Sequence, residues 1–490
     1  MSMIKVENLT FAYPGSYDNV FENVSFQIDT NWKLGFVGRN GRGKTTLLKL
    51  LLGQYAYSGR ILHCVPFDYF PYTVKEPDAA VLHVLQQVCP QAESWQFARE
   101  LSYLNMPETV LERPFAVLSN GEQTKALLAA LFLNEGRFLL IDEPTNHLDA
   151  AAREVVSAYL KRKKGFILVS HDRRFLDGCV DHILSLNRNG IEVQSGNYSS
   201  FLENFEQRQA AEAAQNERLK KDIRRLQQAA RRTAVWSDRV ERSKTGAADK
   251  GYVGHKAAKM MKRSKSIENR TQQAIEQKKG LLQNAENVQS LKISPLVYHS
   301  DVLVSFSDVA VCYDGRAVSA PVSLTVRRGE RVALCGKNGS GKSSLLKLLA
   351  GEKLVHTGRA ECGSGLIVSY VPQDTAGLQG TPRDFARQKK IDESLFKAIL
   401  SKMDFHSVQL QKDMRDFSAG QKKKVLLAGS LCERAHLYVW DEPLNYIDIY
   451  SRMQIEQLLL EFAPAMVFVE HDRAFQDAVA TQTVRLQPPQ

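Results

Sequence analysis

Gly38-Arg39-Asn40-Gly41-Arg42-Gly43-Lys44-Thr45-Thr46 decides the architecture, because it returns about 300 residues later as Gly336-Lys337-Asn338-Gly339-Ser340-Gly341-Lys342-Ser343-Ser344. Both stretches fit G-x-x-x-x-G-K-[ST]. Each has the context that pattern needs, with a short apolar strand in front, residues 33–37 or 331–335, and in the first copy a helical run behind at residues 47–52. In such a loop the glycines let the backbone wrap phosphates, so that N–H groups and a helix N-terminus face negative charge. Lys44 and Lys342 reach the β/γ-phosphates, and the Thr45 and Ser343 hydroxyls are placed to ligate magnesium. One match alone is weak; two in the same context predict two nucleotide sites.

Working outward, four more pairs keep nearly the same spacing: Tyr13 with Tyr313, Ser119 with Ser418, Asp142 with Asp441, and His171 with His471. Two homologous cassettes are therefore expected in tandem, at residues 1–200 and 301–490, around an intervening segment at 201–300. Phe138-Leu139-Leu140-Ile141-Asp142-Glu143 and Leu437-Tyr438-Val439-Trp440-Asp441-Glu442 are apolar runs ending in two carboxylates. Parallel strands covered on both faces have this form, and ligands gather at their carboxyl ends. Asp142 and Asp441 are placed to hold magnesium, and Glu143 and Glu442 to polarise an attacking water. The plainer alternative is that these acids cap the next turn.

The length of 490 residues suits two or three domains, and 43% hydrophobic with 24% charged residues excludes wholesale disorder and fibrous repeats. Seven scattered cysteines without a C-x-x-C pair argue against a disulfide framework or a zinc site. The N-terminus lacks the apolar core of a signal peptide, and no run approaches the ~18 apolar residues of a membrane span, so a cytoplasmic location is expected.

The formal charge of +11 is unevenly placed, because residues 201–292 hold 21 Lys+Arg against 11 Asp+Glu. No proline occurs between Phe201 and Ser294, and Leu219, Leu226, Thr233 and Val240 step by seven, as do Ile267, Ala274, Leu281 and Val288. Gly246, Gly251 and Gly254 mark a turn between the two series. The segment reads as two antiparallel helices of about 35 to 40 residues each, roughly 50 to 60 Å long. Its charge suits contact with phosphate backbones; a solvated helix face is the alternative.

Leu118-Ser119-Asn120-Gly121-Glu122-Gln123 and Phe417-Ser418-Ala419-Gly420-Gln421 read locally as helix N-caps. In a chain with two such loops they resemble the signature motif of the ATP-binding cassette (ABC) family, whose signatures close over the nucleotide held by the opposite cassette. The resemblance covers both cassettes. It implies Mg2+-dependent hydrolysis of two ATP molecules, one between Lys44 and the Ser418 signature and one between Lys342 and the Ser119 signature. It further implies that Tyr13 and Tyr313 stack on adenine, that Gln373 touches magnesium and water, and that His171 and His471 contact the γ-phosphate. Gly38, Asn40, Gly41, Gly43, Thr46, Gly121, Glu122, Gly336, Asn338, Gly339, Gly341, Ser344, Gly420 and Gln421 complete the expected ATP contacts. Phe70-Pro71-Tyr72 lacks the glutamine the family usually places there. Pro443-Leu444-Asn445-Tyr446-Ile447-Asp448 departs from Pro144-Thr145-Asn146-His147-Leu148-Asp149. The two sites are therefore expected to be unequal, with both glutamates active.

Tandem cassettes, no membrane span and a charged helical linker look like the ABC-F subfamily, translation proteins of the ribosome. In that subfamily the hairpin enters near the tRNA exit site. A closer resemblance, to the antibiotic-resistance branch acting against lincosamides, group A streptogramins and pleuromutilins, rests on residues 441–448 and on Gly251-Tyr252-Val253-Gly254-His255-Lys256-Ala257-Ala258-Lys259-Met260-Met261-Lys262-Arg263. The chain ends at Gln490, just past the last expected strand, and only 46 residues lie between Tyr72 and Ser119, little room for an inserted arm. The resemblance implies rRNA and tRNA contacts by Trp236, Arg239, Lys244, Lys250, Tyr252, His255, Lys256, Lys259, Lys262 and Arg263 on a 70S ribosome, with the hairpin tip at 243–255. It implies a monomer with paired cassettes and no obligate protein subunit. A housekeeping ABC-F factor, a transporter ATPase and a DNA-repair ATPase remain the alternatives.

Overall fold

A computed structural model describes residues 3–14, 19–187, 190–242, 291–337, 339–405 and 409–487. The first cassette runs β1 (Met3–Phe11), β2 (Phe21–Asp29), β3 (Lys33–Gly38), α1 (Lys44–Leu51), β4 (Ser58–Leu62), β5 (Phe67–Phe70), α2 (Val81–Val88), α3 (Ser94–Tyr103) and α4 (Asn120–Leu133). It continues with β6 (Phe138–Asp142), α5 (Ala150–Arg162), β7 (Phe166–Val169), α6 (Arg173–Cys179), β8 (His182–Asn187) and β9 (Gly190–Ser195). Strands β5-β6-β7-β3-β8-β9 form one sheet, parallel except for β9, beside a small antiparallel sheet β2-β1-β4. The central strands carry apolar side chains on both faces because both are covered; Leu139, Leu140, Ile141 and residues 166–169 are all at most 3% exposed.

The repeat rebuilds this plan. It comprises β10 (Val302–Tyr313), β11 (Arg316–Ala317), β12 (Val322–Arg327), β13 (Arg331–Cys335), α8 (Lys342–Leu349), β14 (His356–Cys362), β15 (Val368–Val371), α9 (Pro382–Gln388), α10 (Glu393–Lys402), α11 (Ala419–Cys432), β16 (Leu437–Asp441), α12 (Ile449–Phe462), β17 (Met466–Val469), α13 (Arg473–Val479) and β18 (Gln482–Arg485). The α7 helix (Tyr198–Arg242) lies between the two cassettes in the chain. The parallel sheet β15-β16-β17-β13-β18 repeats the order of β5-β6-β7-β3-β8. Each phosphate loop therefore leaves the carboxyl end of an inner strand next to the strand that carries the paired carboxylates' neighbour, β7 or β17.

Residues 1–199 and 288–490 form one compact unit and residues 200–287 a second. Leu291 and Ile293, placed in the linker by the sequence reading, are 1% and 3% exposed in the core of the second cassette, which thus begins before residue 301. The linker starts as the 45-residue α7, longer than the 35 to 40 residues its heptads suggest. The expected turn, tip and returning helix, residues 243–290, lie outside the described residues.

Candidate nucleotide sites

Both lysine loops open their helices in the same way. Gly43 and Gly341 cap α1 and α8 at φ 103° and 83°. Only glycine adopts this readily, and at Gly43 a Cβ would stand 2.6 Å from Val20. Lys44 Nζ donates to the carbonyls of Gly38 and Arg39 at 2.7 and 3.2 Å, and Lys342 Nζ to those of Gly336 and Lys337 at 2.9 Å each. Burial pushes both ammonium groups below the usual lysine range. The loops thus present desolvated lysines beside helix N-termini that no side chain caps among the described residues, which suits polyphosphate.

The two cassettes meet head to tail. A cleft of about 1000 Å³ brings Gly339, Gly341, Lys342, Ser343, Ser344, Gln373, Glu442 and His471 of the second cassette against Ser119, Gly121 and Glu122 of the first. A smaller one of about 300 Å³ joins Asn40, Gly41 and Arg42 to Ser418, Gly420 and Gln421. Each signature serine is also the cap of its helix. The Ser119 Oγ accepts from Glu122 N and the Ser418 Oγ from Gln421 N, both at 3.3 Å, so the local N-cap reading and the cleft-wall placement coexist. Tyr13 and Tyr313 stand outside these walls, each 41% exposed; Tyr13 is tied to the loop helix by a 2.7 Å hydrogen bond between its hydroxyl and that of Thr46. Asn338, Lys244, Lys250, Tyr252, His255, Lys256, Lys259, Lys262 and Arg263 lie outside the described residues, and Trp236 and Arg239 lie on α7.

The two glutamates differ in their surroundings. Both sit just past their strands in the left-handed region, at φ 52° for Glu143 and 46° for Glu442. Glu442 accepts from Gln373 Nε2 at 2.9 Å and Asn445 Nδ2 at 2.6 Å, and its other oxygen lies 3.2 Å from His471 Nε2. Burial pushes its carboxyl up, but His471, Gln373 and Lys342 outweigh that and hold it below the usual range. Glu143 has Tyr72 where the other cassette has Gln373. Its Oε1 is 3.1 Å from His171 Nε2 yet lacks hydrogen-bond geometry, and burial together with the Asp142 charge pushes the carboxyl to about 8. Burial, reinforced by Lys44, pushes His171 well below its ordinary value.

The residues fit a magnesium ion that shares its shell with phosphate oxygens. Asp441 Oδ1 is buried with no hydrogen-bond partner among the described residues, and Ser343 bonds to the same carboxylate. In the first cassette the Thr45 hydroxyl donates to Asp142 Oδ2 at 2.8 Å, and Tyr69 donates to the same oxygen at 3.2 Å. One carboxylate and one hydroxyl per site is the sparse protein set typical of magnesium with nucleotide.

The family model described as ABC transporter matches residues 21–146 and again 320–445, together just over half of the chain. The chain belongs to this family. It is a tandem ABC ATPase of the ABC-F type, and domains of this kind bind and hydrolyse ATP, generally with Mg2+. It is similar to the ribosome protection protein VmlR of Bacillus subtilis (strain 168), 28% identical over 95% of this chain and 83% of that protein. It is also similar to the probable ATP-binding protein YheS of Escherichia coli (strain K12), 27% identical over 93% of this chain and 74% of that one. Among solved structures, the complex of archaeal ribosomal stalk protein aP1 with the ribosome recycling factor aABCE1 shares the fold. The match there has a TM-score of 0.60 and 20% identity, covering 94% of this chain and 83% of that one. Among the described residues no helix is long and apolar enough to cross a membrane.

Several participants escaped the sequence reading. Asn445 reaches Glu442, and Tyr69 reaches Asp142. Lys423 Nζ donates to the carbonyls of Pro372, Gln373 and Asp441 at 2.8, 3.1 and 3.2 Å and so supports the glutamine loop from below. Asn445 had a signal, since Asn146 occupies the same place in the repeat. Lys423 had none, because Thr124 replaces it in the first cassette.

Proposed function

We propose that this protein binds the translating 70S ribosome and protects it from antibiotics of the peptidyl-transferase centre, with ATP closing the cassettes and hydrolysis releasing the protein. The observation that carries the ATP-gated part is the 1000 Å³ cleft, because its walls come from the Lys342 loop of one cassette and the Ser119 signature of the other. A nucleotide there contacts both, so its binding favours the closed arrangement by the difference in contact between open and closed states. The ribosomal part is supported by the likeness to VmlR and by the surplus of ten positive charges in residues 201–292, which suits rRNA phosphates.

In the second site Lys342 and the loop amides neutralise the phosphates. Glu442, ionised and aimed by Gln373, Asn445 and His471, accepts the proton of the attacking water. Ser343 and Asp441 would hold a magnesium ion, which would supply neutralisation of phosphate charge at this site. Glu143 has the same place in the first site but lacks these donors among the described residues, so that site turns over more slowly. Insertion of the linker near the tRNA exit site, with the tip at 243–255 displacing tRNA and drug-site rRNA, is the proposed coupling to drug release.

The test is the Glu143→Gln/Glu442→Gln double variant. It should co-sediment with 70S ribosomes in ATP, and recovery only in the ribosome-free fraction would refute the scheme. A raised inhibitory concentration of a lincosamide or pleuromutilin on expression of the native chain separates protection from a housekeeping role.

A further inference from the structure

We propose that a second cleft, behind the Lys342 loop, binds inorganic phosphate and is the route by which the hydrolysis product leaves that site. The cleft measures about 960 Å³ and shares Asp149, Ala151, Lys337, Lys342 and His471 with the 1000 Å³ nucleotide cleft, so the two adjoin at the Lys342 loop and His471. Its outer wall carries Arg174, Arg473 and Arg485. Arg174 pairs with Asp477 and Arg473 with Glu154, whereas Arg485 and Lys337 have no carboxylate partner among the described residues. The acids of the cleft are already engaged: Asp149 caps Ala152 N at 2.8 Å, Glu470 accepts from Leu444 N at 3.0 Å and from His471 N at 2.7 Å, and Asp477 holds Arg174. These backbone caps leave Asp149 and Glu470 charged, so Lys342, Lys337 and Arg485 outnumber them by one, and a small tetrahedral anion can pair with Lys337 and Arg485, which no carboxylate holds among the described residues.

The repeat supplies an internal contrast. Asp149-Ala150-Ala151 line the passage with small side chains, but the matching stretch is Asp448-Ile449-Tyr450. Ile449 and Tyr450 are 2% and 3% exposed, the Tyr450 ring lies 5.8 Å from the Arg39 guanidinium carbon, and Asp448 is locked to Lys424 at 2.8 Å. The passage behind the Lys44 loop is therefore filled, and phosphate produced there has to leave by the signature side. Cleavage itself forms the bond from water oxygen to phosphorus and breaks the bond to ADP; the proposed cleft changes no bond and acts only on release, a step that sets many turnover rates.

This inference rests on ATP hydrolysis at the Lys342 site, so the experiment measures cleavage and release separately. In full-length protein carrying Glu143→Gln, rapid acid quench reports cleavage and a fluorescent phosphate sensor reports free phosphate. Adding Ala150→Ile, which copies Ile449 of the filled passage at a residue outside the nucleotide cleft, should slow the sensor phase at least tenfold while the quench phase stays within about twofold. Arg485→Ser, outside the nucleotide cleft, should raise the orthophosphate concentration needed to inhibit turnover about tenfold. A sensor phase unaffected by the filled passage, or inhibition by orthophosphate unaffected by Arg485→Ser, would overturn the site; if the filled passage also abolishes cleavage, the Arg485→Ser result decides. No quench phase in the Glu143→Gln parent would instead sink the ATPase reading of the site, and the phosphate route with it.

Discussion

Asp448→Asn should destabilise the second cassette far more than Asp149→Asn destabilises the first, although the two aspartates are the same position of the repeat. Asp448 is completely buried, its carboxylate takes an ion pair from Lys424 at 2.8 Å, and it caps α12 through Ser451 N at 2.9 Å and the Ser451 hydroxyl at 3.0 Å. Asparagine keeps the cap and removes the charge. Among the described residues Lys424 Nζ then retains only the Met403 carbonyl at 2.9 Å, and an ammonium left without its counter-ion in the interior costs about 3–5 kcal/mol. For a cassette of this size that corresponds to a melting temperature lower by roughly 6–20 °C. Asp149 makes no ion pair among the described residues and only caps Ala152, so its asparagine variant should cost under about 1 kcal/mol. Burial alone would raise the Asp448 carboxyl, but the Lys424 ion pair and the Ser451 N–H outweigh it and hold it well below the usual range. A depressed folded pKa means that this stabilisation is fully present above the unfolded value of about 4 and disappears only as pH falls through the folded value, so the gap between wild type and Asp448→Asn should persist to mild acid. Calorimetry of the full chain, with the transitions of the two cassettes resolved, measures it. Equal losses in the two variants, or a loss under about 1 kcal/mol for Asp448→Asn, would show that the ion pair does not govern this position.

Gly420→Ala should loosen the first nucleotide site, since the new Cβ would stand 2.5 Å from the Tyr446 carbonyl oxygen and 3.2 Å from Asn40 Nδ2; fluorescence transfer between labelled cassettes should report about tenfold weaker ATP-driven closure. Asn445→Ala removes the 2.6 Å donor to Glu442 and should lower kcat about tenfold with little change in KM for ATP, because one hydrogen bond to a charged group is worth about 1.5–3 kcal/mol. Glu442→Gln should depress steady-state turnover more than Glu143→Gln, on the grounds of their different donor sets; the reverse order would reassign the faster site. Chelation of magnesium should abolish cleavage while leaving a fluorescent ATP analogue bound, since in the proposed function Lys44, Lys342 and the loop amides hold phosphate without it.

The duplicated loops, the strand runs ending in Asp-Glu and the signature serines were legible in the sequence because each depends on local chemistry. A glycine at φ 103° beside Val20, an apolar strand buried on both faces and a serine that caps its own helix are all written within a few residues. The basic heptads likewise announced a helix, and α7 carries it to Arg242. The inequality of the sites was signalled by Tyr72 against Gln373, but its physical form was not. Whether a glutamate is gripped by three donors or left with a bare oxygen depends on Asn445 in the same loop and on Gln373 and His471, brought to Glu442 from two other segments of the chain. The start of the second cassette was also hidden, because Leu291 and Ile293 carry no periodic signal and become core only through packing. Ala150-Ala151 and Ile449-Tyr450 look like ordinary variation between repeats until the sheets set them behind the phosphate loops. Which motifs each cassette carries, and where they sit on its strands and helices, could thus be read from residue type and short spacing. Only the tertiary structure decided how the two copies differ, because burial, donor geometry and the space behind a loop arise from side chains far apart in the chain.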